Sequence, residues 1–137
     1  MFEVIYYSLT GSTRKLAEAI ADELGVSAEE AITKAGLAEG SLVFLGAGKY
    51  GPLRGWGLKQ FIESNDFRGR KVALFGTSGN GAGQEVEALE ELVVTQGGEV
   101  VGTFFCAGQF LFLINRNHPN SQDLQDARSF ARELANH

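Results

Sequence analysis

The stretch Ser8-Leu9-Thr10-Gly11-Ser12-Thr13 decides how this chain is interpreted. The apolar run Val4-Ile5-Tyr6-Tyr7 comes directly before it. The helical pattern that follows has apolar residues at Leu16, Ala17, Ile20, Ala21 and Leu24. In such an arrangement, hydroxyl groups and the N–H groups of the first helical turn converge on one point, where the positive end of the helix dipole also lies. This pattern predicts an anion site, and the expected anion is a phosphate.

A cluster of hydroxyl residues has a second interpretation. Short serine and threonine clusters before helices commonly cap the helix and bind nothing. The apolar strand before the cluster and the amphipathic helix after it favour the anion site over a simple cap.

The bulk composition limits the class of protein. With 137 residues the chain is expected to form a single domain, 1–137, that needs no crosslinks. Its one cysteine, Cys106, excludes an internal disulfide. No apolar run reaches the roughly 20 residues that span a bilayer, and residues 1–3 show no leader pattern. We therefore expect a cytoplasmic protein with no membrane partner.

The charge is acidic and unevenly distributed. A net charge of −5 argues against nucleic acid as the main partner. No lysine or arginine lies from Val72 through Asn115. The same segment contains Glu85, Glu87, Glu90, Glu91 and Glu99. One side of the molecule is therefore expected to be acidic, either as a solvated helix face or as a surface that steers a basic partner.

Apolar runs alternate with helical periodicity along the whole chain. The pattern predicts strands at 2–7, 42–46, 71–76 and 99–106, and helices at 13–24, 57–64, 83–96 and 121–135. The weaker segment 26–40 is expected to hold a fifth, short strand around 28–32 and a poor crossover helix. Alternation of this kind predicts an α/β protein in which helices cover both faces of a parallel sheet.

The residues around the hydroxyl stretch resemble the FMN-phosphate signature of the flavodoxins. The matching positions are Val4, Ile5, Tyr6, Ser8, Gly11, Thr13, Ala17 and Ile20. The resemblance implies a flavodoxin-like doubly wound five-stranded sheet in the order 2-1-3-4-5. It also implies non-covalent FMN, single-electron transfer, and phosphate ligands at Ser8, Thr10, Gly11, Ser12 and Thr13.

The loop after the third strand is expected to form one wall of the flavin site. In a sheet of that order, ligands bind beyond the carboxyl ends of the first and third strands. The residues concerned are Ala47, Gly48, Tyr50, Gly51 and Trp56. Glycines allow close backbone approach, and Tyr50 and Trp56 can stack on a flat ring. Either aromatic could instead pack on the sheet edge or the next helix.

The loop after the fourth strand is expected at the same edge. Its candidate contacts are Thr77, Ser78, Gly79, Asn80 and Gly81. The corresponding flavodoxin loop often carries an aromatic residue over the flavin, and this loop has none. The ring is therefore either open on that side or covered by Phe110 or Phe112.

Two glycine motifs in the chain lack the context that they need. Gly46 through Gly51 matches the dinucleotide fingerprint G-x-G-x-x-G, but it follows a later strand and leads into Pro52 and not into a helix. Gly48-Lys49 resembles part of a triphosphate-binding loop but has Tyr50 where that loop has serine or threonine. We reject both.

The side chains offer little chemistry of their own. One internal histidine, His118, and one cysteine are too few for a metal site or a Ser-His-Asp apparatus. Cys106 is expected to be a buried small hydrophobe, and no catalytic residue is predicted. Any redox chemistry must then come from a bound cofactor.

Three functions are compatible with the sequence. The first is an FMN electron carrier that docks to a redox partner protein through its acidic edge. In this function the chain acts as an electron carrier and not as a stand-alone enzyme. The second is a small NAD(P)H-dependent quinone reductase or a ribonucleotide reductase-activating flavoprotein. The third is a flavin-free module that binds a partner.

Overall fold

The computed structural model of the protein describes residues 2–7, 11–31, 36–38, 42–48, 56–78, 84–107 and 119–136. Strands and helices alternate, as the apolar periodicity predicts. The strands are β1 (Phe2–Tyr7), β2 (Ala28–Glu30), β3 (Leu42–Gly48), β4 (Lys71–Ser78) and β5 (Glu99–Ala107). The helices are α1 (Ser12–Leu24), α2 (Trp56–Glu63), α3 (Gln84–Thr95) and α4 (Ser121–Ala135).

The observed bounds of β5, α1, α2 and α3 differ from the expected ones by one residue at one or both ends, and larger differences occur at β2, β3, β4 and the expected crossover helix. Strands β3 and β4 run on to Gly48 and Ser78, because these two strands pair with each other up to Gly48 and Thr77. Glycine and hydroxyl residues signal a loop in sequence, but ladder hydrogen bonds outweigh that signal here. Strand β2 ends at Glu30, earlier than predicted. In the expected crossover helix, residues 36–38 have no regular structure, and 32–35 and 39–41 lie outside the described residues.

The five strands form one parallel sheet in the order β2-β1-β3-β4-β5, which confirms the predicted topology. Strand β2 lies on one side of β1, and β3 lies on the other. The direction in which the chain winds therefore reverses between β1 and β3. In sheets of this type, ligands bind outside the carboxyl ends of the strands at that reversal.

Alternate residues of the central strands face two separate cores. Val43 and Leu45 face the core beneath α2 and α3, whereas Phe44 faces the core beneath α1 and α4. The helices contribute Leu58, Phe61, Ile62, Val86, Leu89 and Val93 to the first core, and Leu16, Ala17, Ile20, Ala127 and Ala131 to the second. Both faces of the sheet are covered, as its continuous apolar strands predict.

Position 46 in β3 must be glycine, because a neighbouring aromatic ring occupies the space of a side chain there. It is in register with Phe75 of β4, which is fully buried on the α1 face. A methyl group at position 46 would lie 2.0 Å from Cε2 and 2.3 Å from Cζ of the Phe75 ring. The Phe75 ring therefore occupies the space that any side chain at position 46 would need.

Strand β5 carries one extra residue relative to β4. Val72 pairs with Val100, and the next residue of β4, Ala73, pairs with Gly102. Val101 is therefore a β-bulge. Because of it, Phe104 and Cys106 pack on the core beneath α4, while Phe105 on the other face of the strand is 46% exposed.

Helix α4 begins with a capping box. The side chain of Asn120 accepts a hydrogen bond from the Asp123 N–H, and the Asp123 carboxylate accepts one from the Asn120 N–H, both at 2.9 Å. Two ion pairs then join α4 to α1: Arg128 with Asp22 at 2.8 Å, and Arg132 with Glu23 at 3.0 Å. Exposed ion pairs of this kind contribute little to stability.

Asp66 and Arg68 give stability a small pH dependence. The Asp66 carboxylate accepts hydrogen bonds from the Arg68 guanidinium at 2.7–3.0 Å and from the Arg68 N–H at 2.9 Å. These bonds hold the pKa of Asp66 at about 2, below its ordinary 3.8. A depressed carboxyl pKa stabilises the folded state above the ordinary value, and the effect is lost as pH falls towards 2.

We therefore expect Asp66→Asn to lower the urea midpoint at pH 7, with the difference from the unmodified protein shrinking between about pH 4 and 2. Urea unfolding at a series of pH values measures this difference. Glu133→Gln, an exposed change on α4, is the matched control. A deficit in Asp66→Asn that stayed constant down to pH 2 would contradict the assignment.

Candidate functional site at the carboxyl edge of the sheet

The carboxyl ends of three strands meet at one edge. Tyr7 at the end of β1 is in register with Ala47, and Gly48 at the end of β3 is in register with Thr77. Helix α1 begins above this edge at the reversal between β1 and β3. The edge therefore brings together the ends of all three strands that precede the predicted binding loops.

The start of α1 is suited to an anion. Gly11 is the N-cap in the left-handed region, with φ 90°, and has no side chain to occupy the N–H groups of the first turn. The first turn contains no acidic residue, and it carries Arg14 and Lys15, both exposed. The positive end of the helix dipole is therefore not cancelled by a local carboxylate.

The predicted hydroxyl ligands at this helix start are buried. Ser12 is 3% exposed and Thr13 is fully buried. An anion that reaches them is removed from water, where a charge-assisted hydrogen bond is stronger than at the surface.

Thr13 contacts a second buried hydroxyl, which belongs to a residue 64 positions later in the chain. Its Oγ1 lies 2.9 Å from the Oγ1 of Thr77, which is 2% exposed at the end of β4. Either hydroxyl can be the donor. The bond ties the first turn of α1 to the edge of the central sheet.

The remaining predicted contacts divide into two groups. Ala47 is fully buried in the core beneath α2, backbone included. Trp56 begins α2 and Ser78 ends β4. The other predicted residues lie outside the described ones: Ser8, Thr10, Tyr50, Gly51, Gly79, Asn80 and Gly81, together with Phe110 and Phe112.

Tyr6, although part of the sequence signature, packs into the core of the protein. Its ring lies in the core beneath α1 and is 6% exposed. Burial raises the pKa of its phenol, and the nearby Glu30 carboxylate adds to the increase. Tyr6 is therefore neutral at physiological pH, and its role is in packing.

The acidic segment lies on α3 and at the start of β5. Glu87, Glu90 and Glu91 are exposed on α3, and Glu99 is exposed at the start of β5. Because α3 follows β4, the helix starts at the edge that holds the candidate site. Across the described parts of the chain, no helix is long and apolar enough to cross a membrane.

Comparison with known proteins identifies the family and the fold. The sequence model of the flavodoxin domain matches residues 3–115. The chain belongs to the flavodoxin family. It is 31% identical to a flavodoxin of Clostridium beijerinckii over 145 aligned positions, covering 98% of this chain and 99% of that protein.

Solved flavodoxins share the arrangement of strands and helices. Flavodoxin 2 of Bacillus cereus superposes with a TM-score of 0.75 at 23% identity, covering 98% of this chain and 97% of that one. A Fusobacterium nucleatum flavodoxin, solved with flavin mononucleotide bound, superposes at 0.68 with 21% identity and the same coverage. At these identities the likeness establishes the flavodoxin fold.

The bond between Thr13 and Thr77 was missed by sequence reasoning. Both residues were predicted as ligands, but separately, and nothing in a motif reports a contact between residues 64 positions apart. Given the flavodoxin fold, the alternation of side chains along β4 could have predicted this contact. Phe75 and Thr77 share one face of β4, and Phe75 faces α1. Strand periodicity therefore directs Thr77 towards α1 as well.

Proposed function

We propose that this flavodoxin binds FMN non-covalently at the carboxyl edge of β1 and β3 and carries single electrons to or from a redox partner protein. The observation that carries the proposal is the buried hydroxyl pair of Thr13 and Thr77 at the start of α1, a helix whose first turn has no carboxylate. Membership of the flavodoxin family and the FMN-bound relative from Fusobacterium support it.

The phosphate end of the cofactor fits the described residues. The signature nominates Ser12 and Thr13 as hydroxyl donors, and Gly11 lets the backbone approach closely. Arg14 and Lys15 follow as exposed residues of α1, and Arg14 pairs with Glu18 at 3.7 Å. The contacts to the ring, by Tyr50, Trp56 and the residues from Ser78 to Gly81, remain predictions from the sequence.

The chain and the cofactor have separate tasks. When bound, FMN supplies the centre that accepts and releases electrons. The start of α1 holds the phosphate and so fixes the position of the ring at the sheet edge. The exposed glutamates of α3 attract a partner with a basic surface.

Flavin titration tests the cofactor assignment. We expect the flavin-free protein to bind FMN at least about 100-fold more tightly than riboflavin, because two hydrogen bonds to a charged group contribute together about 3 kcal/mol or more. Quenching of flavin fluorescence measures both affinities. Equal affinities, or no binding of either flavin, would overturn the proposal. Oxidation of NADPH by the loaded protein alone would instead indicate a reductase.

Charge reversal on α3 tests the docking surface. We expect Glu90→Lys to slow electron transfer to cytochrome c, used as a basic redox probe, by about threefold at low salt. Glu133→Lys makes the same change in charge on α4, on the opposite side of the sheet, and is expected to have a smaller effect. Stopped-flow absorbance measures the rate. Equal slowing in both variants would mean that only net charge matters.

A further inference from the structure

We propose that Thr77 is a positioning residue for phosphate recognition: its hydroxyl donates to the oxygen of Thr13 and so directs the only Thr13 proton to the phosphate. The inference rests on the proposed FMN function and deepens it. Thr77 was expected from the sequence to contact the flavin itself. The sequence signature makes Thr13 the phosphate ligand, and the hydroxyl of Thr77 lies 2.9 Å from that of Thr13, so Thr77 instead acts on the cofactor through that residue.

The number of protons in the hydroxyl pair sets the direction of the bond. A threonine hydroxyl has one proton to donate and two lone pairs to accept with. Thr13 and Thr77 lie 2.9 Å apart, so one of them donates to the other. If Thr13 donated to Thr77, it would have no proton left for a phosphate oxygen. Phosphate binding by Thr13 therefore requires Thr77 to be the donor.

Strand β4 holds Thr77 in a fixed position, from which its hydroxyl donates to Thr13. Thr77 is in register with Gly48 on one side and with Cys106 on the other, so its backbone is held between two neighbouring strands. Thr13 belongs to the first turn of α1, where the chain has just left its N-cap glycine. Chains of hydrogen bonds in a buried site polarise one another, so donation from Thr77 also strengthens the Thr13 bond to phosphate.

The test compares affinity for FMN with affinity for riboflavin, which has no phosphate. We expect Thr77→Val, which replaces the hydroxyl by a methyl group, to weaken FMN binding about tenfold and to leave riboflavin binding within about twofold. Thr77→Ser, which keeps the hydroxyl, restores the preference for FMN. Thr103→Val, an exposed change on β5, is the matched control. If Thr77→Val does not fold, Thr77→Ala carries the same expectation.

A double-mutant cycle separates action through Thr13 from direct contact. In a Thr13→Val background, Thr77→Val should cause no further loss of FMN affinity, because the proton that it directs is already absent. A further tenfold loss in that background would mean that Thr77 contacts the cofactor itself, and would overturn the proposal. So would an equal loss of FMN and riboflavin affinity in Thr77→Val, which indicates a structural role.

The phosphorus NMR signal of bound FMN gives a second readout. We expect its chemical shift to move in Thr77→Val and to return in Thr77→Ser. An unchanged shift in Thr77→Val would contradict the inference. A different result would overturn the proposed function, namely that the unmodified protein binds FMN no more tightly than riboflavin.

Discussion

Gly46→Ala is expected to destabilise the protein by about 3 kcal/mol, at the upper end of the cost of overpacking a core. The added methyl group would lie 2.0 Å from the Phe75 ring, closer than any real carbon contact. Phe75 is fully buried, so its ring cannot move into solvent. Urea unfolding followed by circular dichroism measures the loss.

Shrinking the ring should rescue the variant. We expect Gly46→Ala with Phe75→Leu to be more stable than Gly46→Ala alone, although it carries one more substitution, because residues in contact are not additive. Gly36→Ala is the control: among the residues that the structure describes, its added methyl group would meet Asn65 Oδ1 at 3.8 Å, an ordinary contact. A double variant less stable than Gly46→Ala would mean that Gly46 is needed for another reason.

Removal of two predicted phosphate ligands should abolish the preference for FMN. We expect Ser8→Ala with Thr13→Val to weaken FMN binding about 100-fold or more, since each lost bond to a charged group contributes about 1.5–3 kcal/mol. Riboflavin affinity should change little, because riboflavin has no phosphate to lose. Titration of the flavin-free protein by fluorescence quenching gives both values.

The control for this pair carries the same chemical changes elsewhere. Ser64→Ala with Thr103→Val removes two hydroxyls that are exposed and far from α1 in sequence. It should bind both flavins as the unmodified protein does. Unchanged FMN affinity in Ser8→Ala with Thr13→Val would show that the phosphate binds elsewhere.

The architecture was predictable because its main signals are local. Continuous apolar runs at Val43–Leu45 and Val72–Phe75 indicated central parallel strands, and heptad-like spacing indicated α4. The role of Gly46 was not predictable. Its position in a G-x-G-x-x-G match suggests a ligand, whereas its need for space arises from a ring on another strand. The bulge at Val101 leaves no mark in the sequence for the same reason: it exists only relative to β4.

At the phosphate end of the candidate site, the sequence predicts ligands that lie close together in the chain. The signature at Ser8–Thr13 combines a strand, a turn and a helix start, and all three are adjacent in the chain. The pairing of Thr13 with Thr77 depends on how β4 lies beneath α1, which is a property of packing. The sequence motif therefore predicts the ligands, and the fold adds a contact of Thr13 that the motif does not contain.

The bulge at Val101 also decides where β5 tolerates a change in length. Loss of Val101 would join Val100 directly to Gly102, and both residues would keep their partners Val72 and Ala73. Loss of any single residue from Thr103 to Cys106 would instead turn every side chain between that point and Ala107 to the opposite face of the sheet. Single-residue deletions along this strand should therefore be accepted at one position and rejected a few residues later.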